Sequence, residues 1–401
     1  MKKDKKNILI LADVHEGGEW FAIARMLKAT KEKQNSFDFI LVGFLKKYLD
    51  PRVSFKQKIF VQYSNAGKPL SFFKNLYANF RNANRGISKV KNIDEVDFIL
   101  SSHYLFAPSL YALRFLKRKR ILFYFQGIKS VVSWSFPEFN FRQAIVRLLE
   151  ILSLLASHVI ITPSNFSQKY VEALLGPLSA FKTFYIIPNT VPPEFFQKLG
   201  EKERDRVRKK IGVSKKQKII LYSGRFYKYK GIENLLPAFA SLARERRDTA
   251  LVIAYPDSNK DEELFDEIKR QANKQEVEGK IKFVADLKTA QLIGLYQISD
   301  VLVLPSEIEM APLVIIESLA CSTPCIGTGV GNIPQILNRI EPRLILRSNS
   351  PEQIYRKLEF FLNLPPNKVK KLKSLSSKVA QNYSTEAAAE KFLSLIESVE
   401  K

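Results

Sequence analysis

The chain has 401 residues, of which 46% are hydrophobic and 26% charged, and this composition excludes an intrinsically disordered chain. The net charge of +24 is concentrated in residues 1–198, where 30 Lys and Arg face 14 Asp and Glu, and this favours an anionic partner such as a membrane surface, a nucleic acid or an acidic substrate. Two cysteines are too few for a disulfide framework or a zinc site, and no apolar run is long enough for a membrane span or a secretory leader, so a cytoplasmic protein is expected.

Short apolar runs alternate with amphipathic helical stretches through both halves, which predicts parallel βαβ units and an α/β fold class. The predicted strands lie at 8–12, 39–43, 58–62, 98–101, 121–125, 159–162, 185–187, 219–222, 250–254, 281–284, 301–304 and 325–327. Two Rossmann-like domains are therefore expected, at residues 1–198 and 199–383, followed by a last helix within 384–401.

Three loops that follow predicted strands of the first half carry candidate ligand-binding residues. Gly17 and Gly18 follow the first strand, in a turn that could leave room for a ligand or simply join a strand to a helix. His103 follows the strand at 98–101, and Gln126 follows the strand at 121–125. A lone histidine in a loop is more often a packing residue than a ligand, so both interpretations stay open.

Residues 51–93 contain no Asp or Glu, but nine Lys and Arg and seven aromatic residues. Within them, 71–85 is amphipathic at helical pitch. Lys74, Arg81 and Arg85 form one stripe, and the opposite face gathers Phe72, Phe73, Leu76, Tyr77 and Phe80. This pattern predicts an interfacial helix on an anionic membrane. The alternative is a helix packed on the core with a solvated basic face.

The second half opens with the strand at 219–222, followed by Ser223-Gly224-Arg225 and then Lys230-Gly231. Gly224 permits a tight backbone turn close to a ligand. Arg225 and Lys230 are two cations within reach of a pair of phosphates. The alternative is a loop whose cations are only solvated.

Two carboxylates, Glu309 and Glu317, stand eight positions apart between the strands at 301–304 and 325–327. Pro312 fits the first position of a helix over 313–320, whose N-terminal N–H groups and dipole suit a diphosphate. Because a carboxylate only accepts hydrogen bonds, Glu309 suits sugar hydroxyls and Glu317 a ribose pair. The ligand-binding residues between them would be Met310, Ala311, Pro312 and Leu313. The alternative is that both glutamates merely complement the helix dipole.

Together these motifs resemble the strand–GR–KG element and the E-x7-E signature of the family 4 retaining glycosyltransferases, also called glycosyl transferases group 1. The match is good over about 155–335 and weak over the first 150 residues. The resemblance implies the GT-B fold, with two Rossmann-like domains facing across a cleft and a C-terminal helix that crosses back to the N-domain.

The resemblance also implies a reaction. A hexose would move from a nucleotide-diphosphate donor, such as a UDP- or GDP-sugar, to a glycan or lipid-linked acceptor with retained configuration. Neither a metal nor another cofactor is expected, and the site of action would be the inner face of the cell membrane, in polysaccharide or glycoconjugate synthesis. A front-face mechanism is implied, in which the departing phosphate takes the acceptor proton.

In this interpretation the catalytic residues are Glu309, Arg225 and Lys230, which position the sugar and stabilise charge on the diphosphate. The substrate-binding residues are Gly17, Gly18, His103, Gln126, Ser223, Gly224, Met310, Ala311, Pro312, Leu313 and Glu317.

The chain departs from the family at several positions. Thr190, Ser322 and Asn332 stand where the family motifs have glycine, Gln335 where they have glutamate, and Gln126 in a slot that often holds histidine. These departures leave the donor base and sugar open.

Two alternatives share some of these features. A nucleotide-sugar epimerase would have the same fold and would act on the donor without an acceptor. A basic nucleic-acid-binding protein would fit the charge and the aromatic–basic interleaving. It would leave Arg225, Lys230, Glu309 and Glu317 unexplained, so no nucleic-acid partner is expected.

Overall fold

The computed structural model describes residues 5–13, 18–33, 37–44, 54–61, 72–125, 141–257 and 260–400. The chain divides into two compact units, the first made of Met1–Thr190 with Thr385–Lys401 and the second of Val191–Ser384. Each unit is a parallel sheet with helices, so the predicted α/β class with two Rossmann-like domains is confirmed. The division falls at Thr190, and the last helix belongs to the first unit.

The strands are β1 (Lys6–Asp13), β2 (Phe37–Phe44), β3 (Gln57–Val61), β4 (Phe98–Ser101), β5 (Arg120–Tyr124), β6 (Val159–Thr162), β7 (Thr183–Ile186), β8 (Lys218–Ser223), β9 (Thr249–Tyr255), β10 (Ile281–Ala285), β11 (Val301–Leu304), β12 (Cys325–Thr328) and β13 (Ile345–Leu346). The helices are α1 (Gly18–Lys33), α2 (Phe72–Ser88), α3 (Ala107–Phe115), α4 (Phe141–Ala156), α5 (Asn165–Leu175), α6 (Glu201–Lys210), α7 (Ile232–Glu245), α8 (Glu262–Lys274), α9 (Thr289–Ile298), α10 (Leu313–Ala320), α11 (Ile333–Leu337), α12 (Pro351–Leu362), α13 (Pro366–Ala380) and α14 (Thr385–Glu400). Each predicted strand occurs, but β13 was not predicted, because two residues carry no readable period.

The first unit is a seven-stranded parallel sheet in the order β3-β2-β1-β4-β5-β6-β7. Residues 8–11 of β1 are fully buried because helices cover both faces of a parallel sheet, which explains why this strand is apolar without alternation. Helix α14 packs on α1, and α3 packs on both α2 and α4. The order reverses between β1 and β4.

The second unit is a six-stranded parallel sheet in the order β10-β9-β8-β11-β12-β13, and its order reverses between β8 and β11. Strands β8 and β11 pair in parallel, with Ile220 opposite Val301 and Leu221 opposite Leu302. In open α/β sheets the ligand crevice lies beyond the carboxyl ends of the strands at such a reversal. The loops after β8 and β11 are therefore where a ligand is expected.

The returning helix α14 contributes to the core of the first unit. Phe392 is fully buried in a cluster that includes Ile8, Trp20 and Leu27. Phe392→Ala should lower the free energy of unfolding of this unit by about 3–5 kcal/mol, since it removes a packed ring. Both tryptophans, at positions 20 and 134, belong to this unit, so tryptophan fluorescence during urea unfolding measures the change.

The exposed neighbour Lys391 offers a matched control. Lys391→Ala should change the same free energy by no more than about 0.5 kcal/mol. Equal effects of the two substitutions would contradict the placement of α14 in the core of the first unit.

Candidate active site

The reversal of strand order in the second unit brings two distant motifs together. Strand β8 ends at Ser223 and leads into Gly224 and Arg225, and the neighbouring β11 ends at Leu304 and leads into the loop 305–312. Lys230 follows the first motif and Glu309 lies in the second, 79 positions later. Since both loops leave the same edge of the sheet, their side chains meet.

An ion pair joins the two loops. Lys230 Nζ lies 2.7 Å from Glu309 Oε1, and the Ser306 hydroxyl donates to the same oxygen at 2.9 Å. The Glu309 side chain is only 9% exposed, so the pair is largely withdrawn from water. Within the described chain both bonds to this carboxylate end on Oε1, which leaves Oε2 able to accept from a ligand hydroxyl.

The backbone of the two loops is fixed around this pair. Gly231 has a φ of +70° and lies so close to Pro305 that a Cβ would overlap the Pro305 carbonyl oxygen. The Glu307 N–H donates to the Tyr229 carbonyl at 2.8 Å. Only glycine tolerates both the left-handed conformation and the close approach, so the glycine of the Lys-Gly pair is needed for the loops to touch.

The end of β12 and the segment that follows it hold the same loop from the other side. The Thr328 hydroxyl donates to the Ser306 carbonyl at 2.5 Å, and the Asn332 N–H donates to the Met310 carbonyl at 3.1 Å. Gly331, with a φ of +60°, packs directly on the Glu309 carbonyl. The loop that carries Glu309 is thus held from both neighbouring strands.

Arg225 differs from Lys230 in its surroundings. Its guanidinium lies 5.7 Å from the centre of the Tyr227 ring, it is exposed, and among the described residues no acid pairs with it. Its carbonyl accepts from the buried Tyr222 hydroxyl at 3.0 Å, and the Gly224 N–H donates to the Ala254 carbonyl at 3.0 Å. The backbone of this cation is therefore anchored while its charge remains available to an anion.

Helix α10 starts at Leu313, and Pro312 lies one position before it, with an extended ψ of 123° and no side-chain cap. The sequence placed Pro312 in the first turn, and the structure puts it at the cap, where its missing N–H also costs nothing. The first N–H groups of α10 have no partner inside the helix and point out of its N-terminal end. Met310 and Ala311 lie half-buried in the loop just before it.

Glu317 lies inside α10 and is 6% exposed. The Tyr296 hydroxyl donates to its Oε2 at 3.5 Å, and burial first, then the nearby Glu317 charge, raise the pKa of Tyr296 well above its ordinary value. A side-chain hydrogen bond between Tyr296 and Ser223 acts in the opposite direction. Ser223 at the end of β8 and Glu317 are thus linked through one tyrosine hydroxyl.

The candidate residues of the first unit are described separately. His103 lies buried just after β4, at the reversal of strand order, where its Nδ1 accepts from the Leu105 N–H at 3.2 Å and its ring stacks on Tyr104. Gly18 is the first residue of α1. Gly17 and Gln126 lie outside the described residues, so their predicted roles stay predictions.

Several departures from the family pattern have structural consequences. Ser322 has a φ of +62°, a left-handed conformation that costs a non-glycine residue roughly 1–2 kcal/mol. The side-chain oxygens Oδ1 of Asn332 and Oγ1 of Thr190 are buried without a hydrogen-bond partner. An unpaired buried oxygen at Asn332 next to the Glu309 loop is an acceptor that a ligand could use.

Sequence reasoning missed three residues of this site: Tyr296, Ser306 and Thr328. Ser306 had a usable signal, since it precedes Glu309 by three positions directly after a strand. Tyr296 sits in the apolar helix α9 and carries no motif, and Thr328 ends a strand; their contacts arise only in three dimensions.

Other features of the described residues bear on the chemistry. Cys321 and Cys325 are free and buried, and burial raises the pKa of Cys325 to about 12, so it is an inert core residue. Among the described residues no group of three or more His, Cys, Asp or Glu could hold a metal ion. In the same part of the chain no helix combines the length and the apolar character needed to span a bilayer.

Comparison with known proteins agrees with this geometry. Residues 203–382 match the family described as glycosyl transferases group 1. Curated relatives include an N-acetyl-alpha-D-glucosaminyl L-malate synthase of Bacillus anthracis, 27% identical over 45% of this chain and 44% of the relative. Another is a D-inositol 3-phosphate glycosyltransferase of Corynebacterium jeikeium, 25% identical over 47% of this chain and 45% of the relative. The chain spans about half the length of these curated relatives.

Solved structures share the fold over nearly the whole chain. A sucrose-phosphate synthase from Thermosynechococcus elongatus superposes with a TM-score of 0.80 at 19% identity, covering 98% of this chain and 99% of that one. The Anabaena protein HepE, in complex with UDP and glucose, superposes with a TM-score of 0.77 at 14% identity, covering 98% and 100%. The predicted GT-B fold is thereby confirmed.

The contact between Gly231 and Pro305 makes a direct prediction. Gly231→Ala should lower the free energy of unfolding of the second unit by about 1–3 kcal/mol, because the new Cβ meets a backbone carbonyl in a left-handed conformation. Urea unfolding followed by circular dichroism measures it. At Gly279 a Cβ would meet nothing within 4 Å, so Gly279→Ala is the control and should cost at most about 0.5 kcal/mol. Equal losses would argue against the close approach of the two loops.

Proposed function

We propose that the chain transfers a hexose from a nucleotide-diphosphate donor to a glycan or lipid-linked acceptor, as the match of residues 203–382 to the family of glycosyl transferases group 1 supports. The observation that carries the proposal is the Lys230–Glu309 pair beside Arg225 and the N-terminus of α10, at the carboxyl edge of the second sheet. The UDP of the HepE complexes supports a nucleotide-sugar donor.

The donor diphosphate would be bound by positive charge from two directions. Arg225 offers an exposed guanidinium that no acid of the described residues pairs with, and the N-terminal N–H groups of α10 offer donors together with the helix dipole. Lys230, whose Nζ lies 2.7 Å from Glu309 Oε1, would also interact with a phosphate oxygen while it holds the carboxylate. These charges would stabilise the diphosphate as it leaves, and we propose that no metal is required for that purpose.

Glu309 would position the sugar. Its Oε1 is held by Lys230 and Ser306, so the free Oε2 has a fixed direction from which to accept a sugar hydroxyl. We propose a retaining front-face transfer. The bond between the anomeric carbon and the phosphate oxygen breaks, the acceptor oxygen bonds to that carbon on the same face, and the acceptor proton passes to the departing phosphate. The protein contributes positioning and charge stabilisation.

Glu317 would bind the ribose of the donor nucleotide. A carboxylate buried beside the Tyr296 hydroxyl can accept from two neighbouring ribose hydroxyls, and its fixed place in α10 sets the distance from ribose to diphosphate. Glu309 and Glu317 therefore have separable roles, one toward the sugar and one toward the nucleoside.

The acceptor would be reached at the inner face of the membrane, as part of polysaccharide or glycoconjugate synthesis. The positive charge of residues 1–198 and the acid-free segment 51–93 support an anionic surface as partner. Helix α2 exposes Lys74, Arg81 and Arg85, as the pattern predicted.

Nucleotide binding tests the proposal directly. At least one of UDP, GDP and ADP, or its sugar conjugate, should raise the melting temperature, since a ligand at about 100 times its Kd adds about 2.7 kcal/mol to stability. Differential scanning fluorimetry with this panel measures the shift, and the matching nucleosides without phosphate are the control. The absence of a shift with every nucleotide would sink the donor-site proposal.

The two glutamates should behave differently. Glu309→Gln should lower kcat about 100-fold and leave nucleotide affinity nearly unchanged, because it acts in the transition state. Glu317→Gln should weaken nucleotide binding about tenfold, because a charged acceptor is lost. Turnover measured in the presence of EDTA, with the product anomer identified by NMR, and calorimetric titration separate the two. The reverse pattern, or an inverted product, would contradict the assigned roles.

A further inference from the structure

Helix α2 presents charge but little apolar surface. Its outer face carries Lys74, Arg81 and Arg85, and Tyr77, which the sequence pattern assigned to the opposite face, is 69% exposed beside them. Leu76 and Phe80 are half-buried. The side chains of Phe72 and Phe73 lie outside the described residues. In its described part the helix can thus attract an anionic surface, but the aliphatic area needed to enter a bilayer is missing from it.

Helix α4 carries the aliphatic surface that α2 lacks, because polar side chains of α4 lie on its buried side and apolar side chains on its outer side. Glu150 and Ser153 lie on its buried side. The opposite side is aliphatic over three turns, and this apolar stripe consists of Ile145, Leu148, Ile151, Leu152 and Leu155, of which Leu148 is exposed and the other four are half-buried. Leu148, at its centre, is 54% exposed. A helix that turns aliphatic residues outward and a carboxylate inward calls for a partner.

The apolar stripe continues past the C-terminal end of α4. Arg114 and Lys182 both donate to the Leu155 and Ser157 carbonyls, which brings the chain segments around them together. Leu116, 80% exposed, comes two positions after Arg114, and Phe181, 83% exposed, comes directly before Lys182. Among the described residues, every large hydrophobic side chain that is highly exposed belongs to the first unit.

The charge around the apolar stripe is predominantly positive. Arg118 is exposed two positions after Leu116, and α3 joins the apolar stripe to the basic face of α2, since α3 packs on both helices. The acids of α2, α3, α4 and α5 themselves are, within the described residues, Glu150, which is buried, and Glu172, which is half-buried. Between α2 and α3 the chain exposes Asp94, Glu95 and Asp97, and Asp94 pairs with Lys117 at 3.1 Å. An isologous contact with a second copy would set these cations against their own images, so an anionic partner fits better.

We propose that the outer faces of α2, α3 and α4, together with Leu116 and Phe181, form one membrane-docking surface for an anionic bilayer. The apolar stripe enters the interfacial layer, and the cations of α2, together with Arg118, contact lipid headgroups. This inference rests on the proposed function in one respect: a lipid-linked acceptor is the reason for the chain to bind a membrane.

Vesicle flotation tests the surface in the full chain. The wild type should float with phosphatidylglycerol–phosphatidylcholine vesicles at low salt. Leu116→Ser combined with Leu148→Ser and Phe181→Ser should lower the bound fraction at least about tenfold, since apolar area no longer leaves water. Leu116→Met with Leu148→Met and Phe181→Leu keeps the apolar area and should float like the wild type.

The charged part is tested separately. Lys74→Gln with Arg81→Gln and Arg85→Gln should weaken binding by about fivefold per cation at low salt and reduce its salt dependence. The exposed cations Lys209, Lys210 and Lys216 of the second unit, changed to Gln together, are the matched control and should leave flotation unchanged.

Three results would overturn the proposal. The first is that the wild type does not float with the vesicles. The second is that the serine variant floats as well as its apolar control. The third is that light scattering shows a dimer of the wild type and a monomer of the serine variant. Each variant is first checked by the nucleotide-induced melting shift of the wild type, which confirms folding. A chain that floats but responds to no nucleotide would refute the proposed function and leave the docking surface intact.

Discussion

The ion pair between Lys230 and Glu309 is the interaction on which the candidate site depends. It joins two loops that leave neighbouring strands of a parallel sheet, and its carboxylate is nearly excluded from water. A partly buried pair needs further hydrogen bonds and close packing to offset the loss of hydration. Ser306 supplies the bond, and Gly231 permits the approach. The pair therefore fixes one carboxylate oxygen and leaves the other able to accept a hydrogen bond from a ligand.

The position of the pair follows from the sheet order. Because the order reverses between β8 and β11, the connections after these strands diverge to opposite faces and leave a crevice between them. Arg225, Lys230, Glu309 and the start of α10 all lie on that edge. Cations, a helix N-terminus and a carboxylate in one crevice form a site suited to an anionic leaving group attached to a polyhydroxyl substrate.

The first unit combines two properties that are usually kept apart on a protein surface. It carries most of the net positive charge, and the outer side of α4 is aliphatic, with Leu148 exposed and its apolar neighbours half-buried. Charge alone fits many anionic partners, and an apolar face alone fits many proteins. Their combination on adjacent helices is the basis of the proposed docking on an anionic bilayer.

The sequence by itself determined the α/β class, the two Rossmann-like domains and the predicted strands, because hydrophobic period and strand length are local signals. It also determined that Arg225, Lys230, Glu309 and Glu317 belong to one motif set. Only the tertiary structure decided that Lys230 pairs with Glu309, that Tyr296 links Ser223 to Glu317, and that α4 turns its apolar side outward. These contacts and exposures depend on which strands become neighbours and which helix faces remain uncovered. Both are set by residues far apart in the sequence, so no local period or spacing predicts them.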